Sequence, residues 1–435
     1  MKNTWKLEGI PAYVGGELNP TLFNCGSGMK DDFLGPTDED SFMHIVTQTT
    51  EQEFADYCAV LAQNGYATVF ENRSDAGVFR QLKGEKLLYV YYIFNEHTTR
   101  IICDNSGVSV PEFAGELGNI IHGDTALMQF GLYYGDNIRN YTSDCGMLYA
   151  IRLRDNKVIV IDGGSREQST EPATDEFMAR LSALTGHPET IHIAAWFCTH
   201  PHDDHLDFFS RMLKKFGTRL KVERVMFNFA STELLMGGSN LQMPPERIPP
   251  FRPRAMERIL ANNPGVSYLK LHTGQKFMIS GAEIEVLLTH EDMLTRCRDG
   301  AYFGMNDTCS ILKFSFDGKS MIFLADVSTP TGNILIGRYP WGSLSCDFLQ
   351  VAHHCINDVA NIYEFIRTEY MLVPQGRYLL LKYLSDNYHN LWKYCSEYDV
   401  YVAGDATMIF HIANGKVIFE EFFPVCGCPY DGSEP

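Results

Sequence analysis

The chain reads as an α/β protein preceded by a smaller α+β unit, and three observations predict this. From about residue 120 onward, strand-like apolar runs alternate with helical and loop segments through most of the 435 residues. Several of those runs are continuously apolar, the pattern of strands covered on both faces. The first 115 residues differ in charge as well as pattern, with 8 Lys or Arg against 16 Asp or Glu in a chain total of 36 against 54. A boundary is therefore expected near residue 115, with residues 1–115 a small accessory unit and residues 116–435 the main one.

In the first unit, Thr49 to Ala62 predicts an amphipathic helix, capped by Thr49 or Thr50 and burying Phe54, Tyr57, Val60 and Leu61. Asn64-Gly65 ends it, and β-rich runs follow at 67–70, 87–93 and 99–103. No chemistry is recognisable there, so a packing or binding accessory is expected. The second unit offers strands at 147–153, 157–161, 191–198, 222–227, 283–288, 321–324, 348–351, 370–373 and 400–403. Its clearest helix is 206–215, where Leu206, Phe209 and Leu213 recur at helical spacing. Residues 237–253 are too proline-rich for regular structure and read as a long surface loop.

Composition excludes several classes. With 45% hydrophobic and 21% charged residues, the chain is neither disordered nor fibrous. The longest clean apolar stretches are about eight residues, far short of the roughly 18 to 20 that a membrane helix needs. The start, Met1 to Ile10, lacks the features of a secretory signal, and a cytoplasmic protein is expected. Twelve cysteines are scattered from Cys25 to Cys428, several in apolar runs where a thiol behaves as a small hydrophobe, so no disulfide scaffold is expected. Cys426 and Cys428 form a lone Cys-x-Cys, a weak metal signal. The net charge of −18 argues against bulk electrostatic binding of a phosphate backbone. No feature fixes an oligomeric state.

The segment that carries chemistry is Thr199-His200-Pro201-His202-Asp203-Asp204-His205, directly after a buried strand. Alternate residues of an extended stretch point the same way, so His200 and His202 can converge on one cation. Asp204 and His205 sit where a helix begins, which swings them toward a neighbouring position. Imidazole nitrogen with carboxylate oxygen suits Zn²⁺ and accepts Mn²⁺ or Fe, and this spacing suggests two metals side by side. The alternative is a solvated histidine-rich turn. Two later strands also end in ligand-type residues: Asp326 after the run 321–324, and His353-His354 after 348–351. Asp326 can bridge both ions with its two oxygens.

These motifs resemble the metallo-β-lactamase superfamily, and more narrowly are similar to the metallo-β-lactamase domain of DNA-uptake competence proteins and its stand-alone relatives. The resemblance covers roughly residues 120 to 420. It extends to Asp162-Gly163-Gly164, to Asn306-Asp307-Thr308-Cys309-Ser310, and to Asp386-Asn387-Tyr388-His389. It implies a four-layer αββα sandwich with the small N-terminal α+β domain outside it, a site at one sheet edge, and hydrolysis by a metal-bound hydroxide. It implies His200, His202, Asp204, His205, Asp326 and His354 as ligands, with His354 favoured over His353. Asp162 is expected to orient the His-rich loop, and Asn228 occupies the place of a further ligand. Asp204, His353 and His389 are the candidates for proton handling, and Asn306 and Arg252 for substrate contact.

The chain also departs from the pattern. For a further histidine between the His-rich loop and Asp326, the only candidates are His272 and His290. Ala325 and Cys355 stand where glycines are expected beside the ligands. The expected function is metal-dependent hydrolysis at a two-metal centre, of a phosphoester or phosphodiester. Amide, lactone or thioester hydrolysis on the same fold is the alternative, and a non-hydrolytic metal or redox protein the third. The charge favours a small anionic substrate over a nucleic-acid polymer.

Overall fold

A computed structural model describes residues 5–26, 41–110, 117–132, 146–165, 168–187, 189–230, 256, 260, 263, 265–294, 304–356, 359–376, 380, 385–402 and 406–422. The N-terminal sheet holds β1 (Glu17–Leu18), β2 (Phe23–Asn24), β3 (Phe42–Thr47), β4 (Ala67–Arg73), β5 (Gly77–Lys83), β6 (Leu87–Ile93) and β7 (Thr98–Asp104), with α1 (Glu51–Gln63) packed on it. A second sheet is built from β8 (Thr125–Gln129), β9 (Tyr149–Arg152), β10 (Val158–Ile161), β11 (Ile191–Phe197), β12 (Leu220–Val222), β13 (Arg224–Phe227) and β14 (Ser267–Lys270). A third takes β15 (Lys276–Ile279), β16 (Ala282–Leu288), β17 (Ile311–Phe316), β18 (Lys319–Phe323), β19 (Ser345–Gln350), β20 (Arg367–Val373) and β21 (Val400–Val402). The chain then returns to the second sheet with β22 (Thr407–Ala413) and β23 (Lys416–Phe422).

The second and third sheets face each other. Their contact is apolar, with edge-on ring pairs Phe197–Phe314, Tyr149–Phe323 and Phe348–Phe410 at 5.1 to 5.2 Å. On the outer face of the second sheet, α2 (Glu171–Thr185) and α3 (Asp203–Phe216) bury Phe177, Phe208 and Phe209, the last against Trp196 at 4.1 Å. With the third sheet pack α4 (Thr329–Arg338) and α5 (Ala360–Phe365), through Leu335, Ile362 and Phe365. The layers run helix, sheet, sheet, helix, as the resemblance implies. Strands β10, β11, β13 and β14 run parallel, as do β18 to β21, and their continuous apolar runs are buried on both faces.

Two expectations need correction. Val60 is 38% exposed, and Cys58 takes its place in the stripe, so α1 buries Phe54, Tyr57, Cys58 and Leu61, the spacing a helix face requires. Thr50 is the cap: its hydroxyl accepts from Glu53 N at 3.2 Å, while the Glu53 carboxylate accepts from Thr50 N at 2.7 Å. The run 222–227 is not one strand, because β12 and β13 pair with different stretches of β11 on either side of Glu223.

The N-terminal sheet is sandwiched in turn. Along β6, Leu88, Val90 and Tyr92 face α1, whereas Tyr89, Tyr91 and Ile93 belong to the apolar cluster of the third sheet. The contact is close at Gly274 (φ +84°), where an added Cβ would lie 2.0 Å from the Phe79 ring. Tyr89 donates to Thr273 O at 2.9 Å, and Asn72 Nδ2 to Gly274 O at 2.9 Å.

Candidate metal centre at the sheet edge

Five strand ends supply the site. Asp162 follows β10, His200 follows β11, Asn228 follows β13, Asp326 follows β18, and His353-His354 follow β19. Each of these strands lies in a parallel part of its sheet, so all the ends open on one edge. Helix α3 begins at Asp203, which puts Asp204 and His205 in its first turn rather than ahead of it. Acids in that turn and Lys214 and Lys215 in the last complement the helix dipole. Lys215 ties α3 to α2 through Asp175 at 2.8 Å.

Asp162 organises the His-rich loop. Its backbone is left-handed (φ 57°), and its buried carboxylate accepts from Thr199 N, Thr199 Oγ1 and His205 Nδ1, each at 2.7 Å. Burial raises its carboxyl pKa, with His205 opposing. Thr199 Oγ1 also lies 3.2 Å from His200 Nδ1, and His354 Nδ1 donates to Pro374 O at 3.2 Å. Each imidazole is thus pinned through one nitrogen, leaving the other to face inward.

The inward atoms divide into two groups around Asp326. Its Oδ1 lies 3.3 Å from His205 Nε2 and 3.4 Å from His354 Nε2, and His354 Nε2 is 3.3 Å from Asp204 Oδ2. Its Oδ2 lies 3.7 Å from His200 Nε2, which is 2.9 Å from His202 Nδ1. Asp204, His205, Asp326 and His354 form one set of donors within 4.8 Å of one another; His200, His202 and Asp326 form a second. The donors fit divalent cations, because His205 Nε2 and Asp326 Oδ1 are buried and have no hydrogen-bond partner among the described residues.

Electrostatics agree with that chemistry. Burial pushes His200, His202 and His353 down, leaving neutral imidazoles able to ligate. Burial opposes ionisation of Asp326, but His205 and His354 outweigh it and hold the carboxyl well below its usual range. Burial likewise opposes a charge on His205, yet Asp326, Asp162 and Asp204 hold it up at about 10. A divalent cation satisfies the same carboxylates that retain this proton.

The structure brings His354 into a donor set and leaves His353 at the rim. His353 is 19% exposed, 3.8 Å from Asp326 Oδ2 and 3.1 Å from Asn306 Nδ2. Asn228 is buried; its Nδ2 donates to Leu271 O at 2.7 Å and to Glu291 Oε1 at 2.9 Å. Neither histidine candidate for a further ligand joins a donor set: His290 Nδ1 faces Asn228 O at 3.2 Å, and His272 lies between Glu291 and Asp104. His389 is on α6 (Ser385–Leu391), exposed and edge-on to Trp392 at 5.0 Å, and it joins neither donor set among the described residues. Arg252, the loop around it, and Cys426 and Cys428 lie outside the described residues.

Two packed sheets between helices, with candidate ligands at the ends of strands from both, decide the architecture. The chain has the metallo-β-lactamase fold. Solved structures similar to it include the metallo-beta-lactamase fold protein YhfI of Bacillus subtilis, at 9% identity and TM-score 0.38 over 64% of this chain and 96% of that one. Zn²⁺-bound PqqB of Methylobacterium extorquens is similar at 9% identity and TM-score 0.37, over 65% and 99%. The short form of human tRNase Z is similar at 11% identity and TM-score 0.31, over 68% and 98%. No family model and no curated protein matches the chain. At such distances the fold is read from topology and strand ends, not from these overlays.

Sequence reasoning missed two residues that hold the site. Gln350 accepts from Ala325 N at 2.6 Å and donates to Ala325 O at 3.2 Å, clasping the Asp326 turn to the end of β19. His353 N adds a bond to Ala325 O at 2.9 Å. The signal was a glutamine inside the apolar run Phe348-Leu-Gln-Val351. Thr199 is the second, a polar residue directly between a buried strand and the ligands. The two missing glycines also find an explanation: Ala325 (φ 52°) and Cys355 (φ 63°) keep the left-handed backbone that glycine adopts freely.

Proposed function

We propose that this protein is a metal-dependent hydrolase with a two-metal centre, acting on a small phosphoester or phosphodiester. The observation that carries the reading is the division of Asp326, one oxygen toward His205 and His354 and the other toward His200. A bound divalent cation, Zn²⁺ first and Mn²⁺ or Fe next, supplies acidification of water and neutralises an anionic substrate. The chain's own residues do the rest. Asp204, His205, Asp326 and His354 hold one ion, and His200, His202 and Asp326 the other. Asp162 and Thr199 fix the ring orientations. His353, at the rim and 3.1 Å from Asn306 Nδ2, is our candidate for exchanging a proton with the leaving group.

The net charge of −18 supports a short substrate over a long polyanion. No helix among the described residues is long and apolar enough to cross a membrane. A cytoplasmic location is our reading, supported by cysteines scattered through apolar runs, where a thiol behaves as a small hydrophobe.

The test is hydrolysis of bis-aryl and mono-aryl phosphates by the protein supplemented with Zn²⁺, Mn²⁺ or Fe²⁺. Asp204→Ala and His202→Ala should each lose activity on the order of 100-fold or more. Absence of phosphate ester cleavage with every metal, alongside cleavage of lactone, amide or thioester substrates, moves the chemistry to the carbonyl alternative. Absence of all cleavage refutes the hydrolase.

A further inference from the structure

The N-terminal sheet meets the sandwich across a second set of charged groups, which shares no residue with the ligand cluster. The sheet contributes Glu96, Arg100 and Asp104, and the sandwich contributes Lys270, His272, Glu291, Asp292 and Arg338. All but Glu96 are essentially inaccessible. Arg338, at the end of α4, pairs with Glu96 at 2.7 Å and Asp292 at 2.9 Å. Arg100 pairs with Glu96 at 3.1 Å and lies 4.0 Å from Asp292, to which Tyr91 donates at 2.9 Å. Lys270, at the end of β14, donates to Cys25 O at 2.6 Å.

Four of these groups are acids and three are permanent cations, and a charged His272 balances them, with His290 also facing Glu291. Geometry asks for the same. His272 Nδ1 meets the Glu291 carboxylate at 2.9 Å, and Nε2 meets the Asp104 carboxylate at 3.2 Å. Both partners accept only, so both ring nitrogens must carry a proton. Glu291 also accepts from Asn228 Nδ2 at 2.9 Å, and Asn228 follows β13 beside the start of the His-rich loop, where Cys198 N donates to Met226 O.

We infer that His272 is an imidazolium at neutral pH that braces the N-terminal sheet to the ligand-bearing sandwich, making that sheet an integral layer that positions the β13 end through Asp104, His272, Glu291 and Asn228. The role does not depend on hydrolysis. Burial opposes the charge, but Glu291 and Asp104 hold the ring at about 9, against an ordinary 6.5. The groups facing it are Glu291, Asp104 and Lys270, with Tyr89 stacked on the ring at 4.6 Å. Tyr89 is pushed well above its usual value, first by burial, and stays neutral in that range. A raised folded-state value means that the brace's contribution is complete below about pH 6.5 and is lost as pH rises through about 9.

The test is ¹⁵N NMR of the ring nitrogens in the full-length protein, with His272 assigned by loss of its signals in His272→Gln. Both nitrogens should be protonated at pH 7.5 and titrate near pH 9, and the Asn228 side-chain amide should shift with the same midpoint. A neutral ring at pH 7.5, or an Asn228 amide indifferent to that titration, overturns the inference. His272→Gln should lower the melting temperature by several degrees and flatten its fall between pH 7 and 9.5. His272→Gln with Asp104→Asn should recover part of that loss, and an additive double variant counts against the brace. Should His272→Gln not fold, Asp104→Asn assigns the ring instead. None of these readouts uses turnover, so failure of the hydrolase reading leaves them standing.

Discussion

The protein buries two clusters of the same residue types, and they behave in opposite ways. At the sheet edge, His200, His202, His205 and His354 gather around Asp326 and Asp204, and His205 Nε2 and Asp326 Oδ1 have no hydrogen-bond partner among the described residues. At the N-terminal interface, His272 sits between Asp104 and Glu291, and Asp292 is held by Arg338 and Arg100. Burial favours the neutral acid of Asp292, yet the two arginines bring it to about 2. Histidines and carboxylates thus make a ligand site when histidines alone face the shared acids, and an internal brace when buried arginines meet the acids as well. Residue type does not separate the two; partnering does.

Substitutions can break or sharpen this contrast. The largest stability effect is expected from Arg338→Met, which leaves the buried Asp292 with Arg100, 4.0 Å away, as its neighbouring cation. It should cost about 3–5 kcal/mol in denaturant unfolding without changing metal stoichiometry in whatever stays folded. A loss below about 1 kcal/mol would show that the interface charges do not depend on one another. Asp162→Asn acts on the other cluster, since the amide matches the carboxylate in shape but holds His205 Nδ1–H less firmly. Metal affinity should fall about 10–100-fold by competition with a chromogenic chelator, with the far-ultraviolet circular dichroism unchanged. The smallest effect is Ala325→Gly beside Asp326. Relief of the left-handed backbone and the greater freedom of unfolded glycine nearly offset, so stability should change by less than about 1 kcal/mol. A larger loss would mean that the Ala325 methyl itself holds the Gln350 clasp.

The sequence by itself singled out the candidate ligands, because metal-binding chemistry is local: one six-residue loop, one acid and one histidine pair follow strands whose apolar runs are plain. It also determined that those strands are buried on both faces, and from them the layered fold. It carried a further signal in Leu87 to Ile93, continuously apolar in a unit with one helix, which requires a second covering surface. Where that surface lies was for the tertiary structure to decide, since contacts such as Tyr89 with Thr273 join residues far apart in the chain. The resemblance favoured His354 over His353, and the physical reason for that choice is tertiary. Adjacent residues in a left-handed turn point apart, and only the fold settles which one meets Asp326 and Asp204. The same holds for His272, which by sequence was a spare ligand. Placed between two carboxylates of different layers, it is satisfied without any metal.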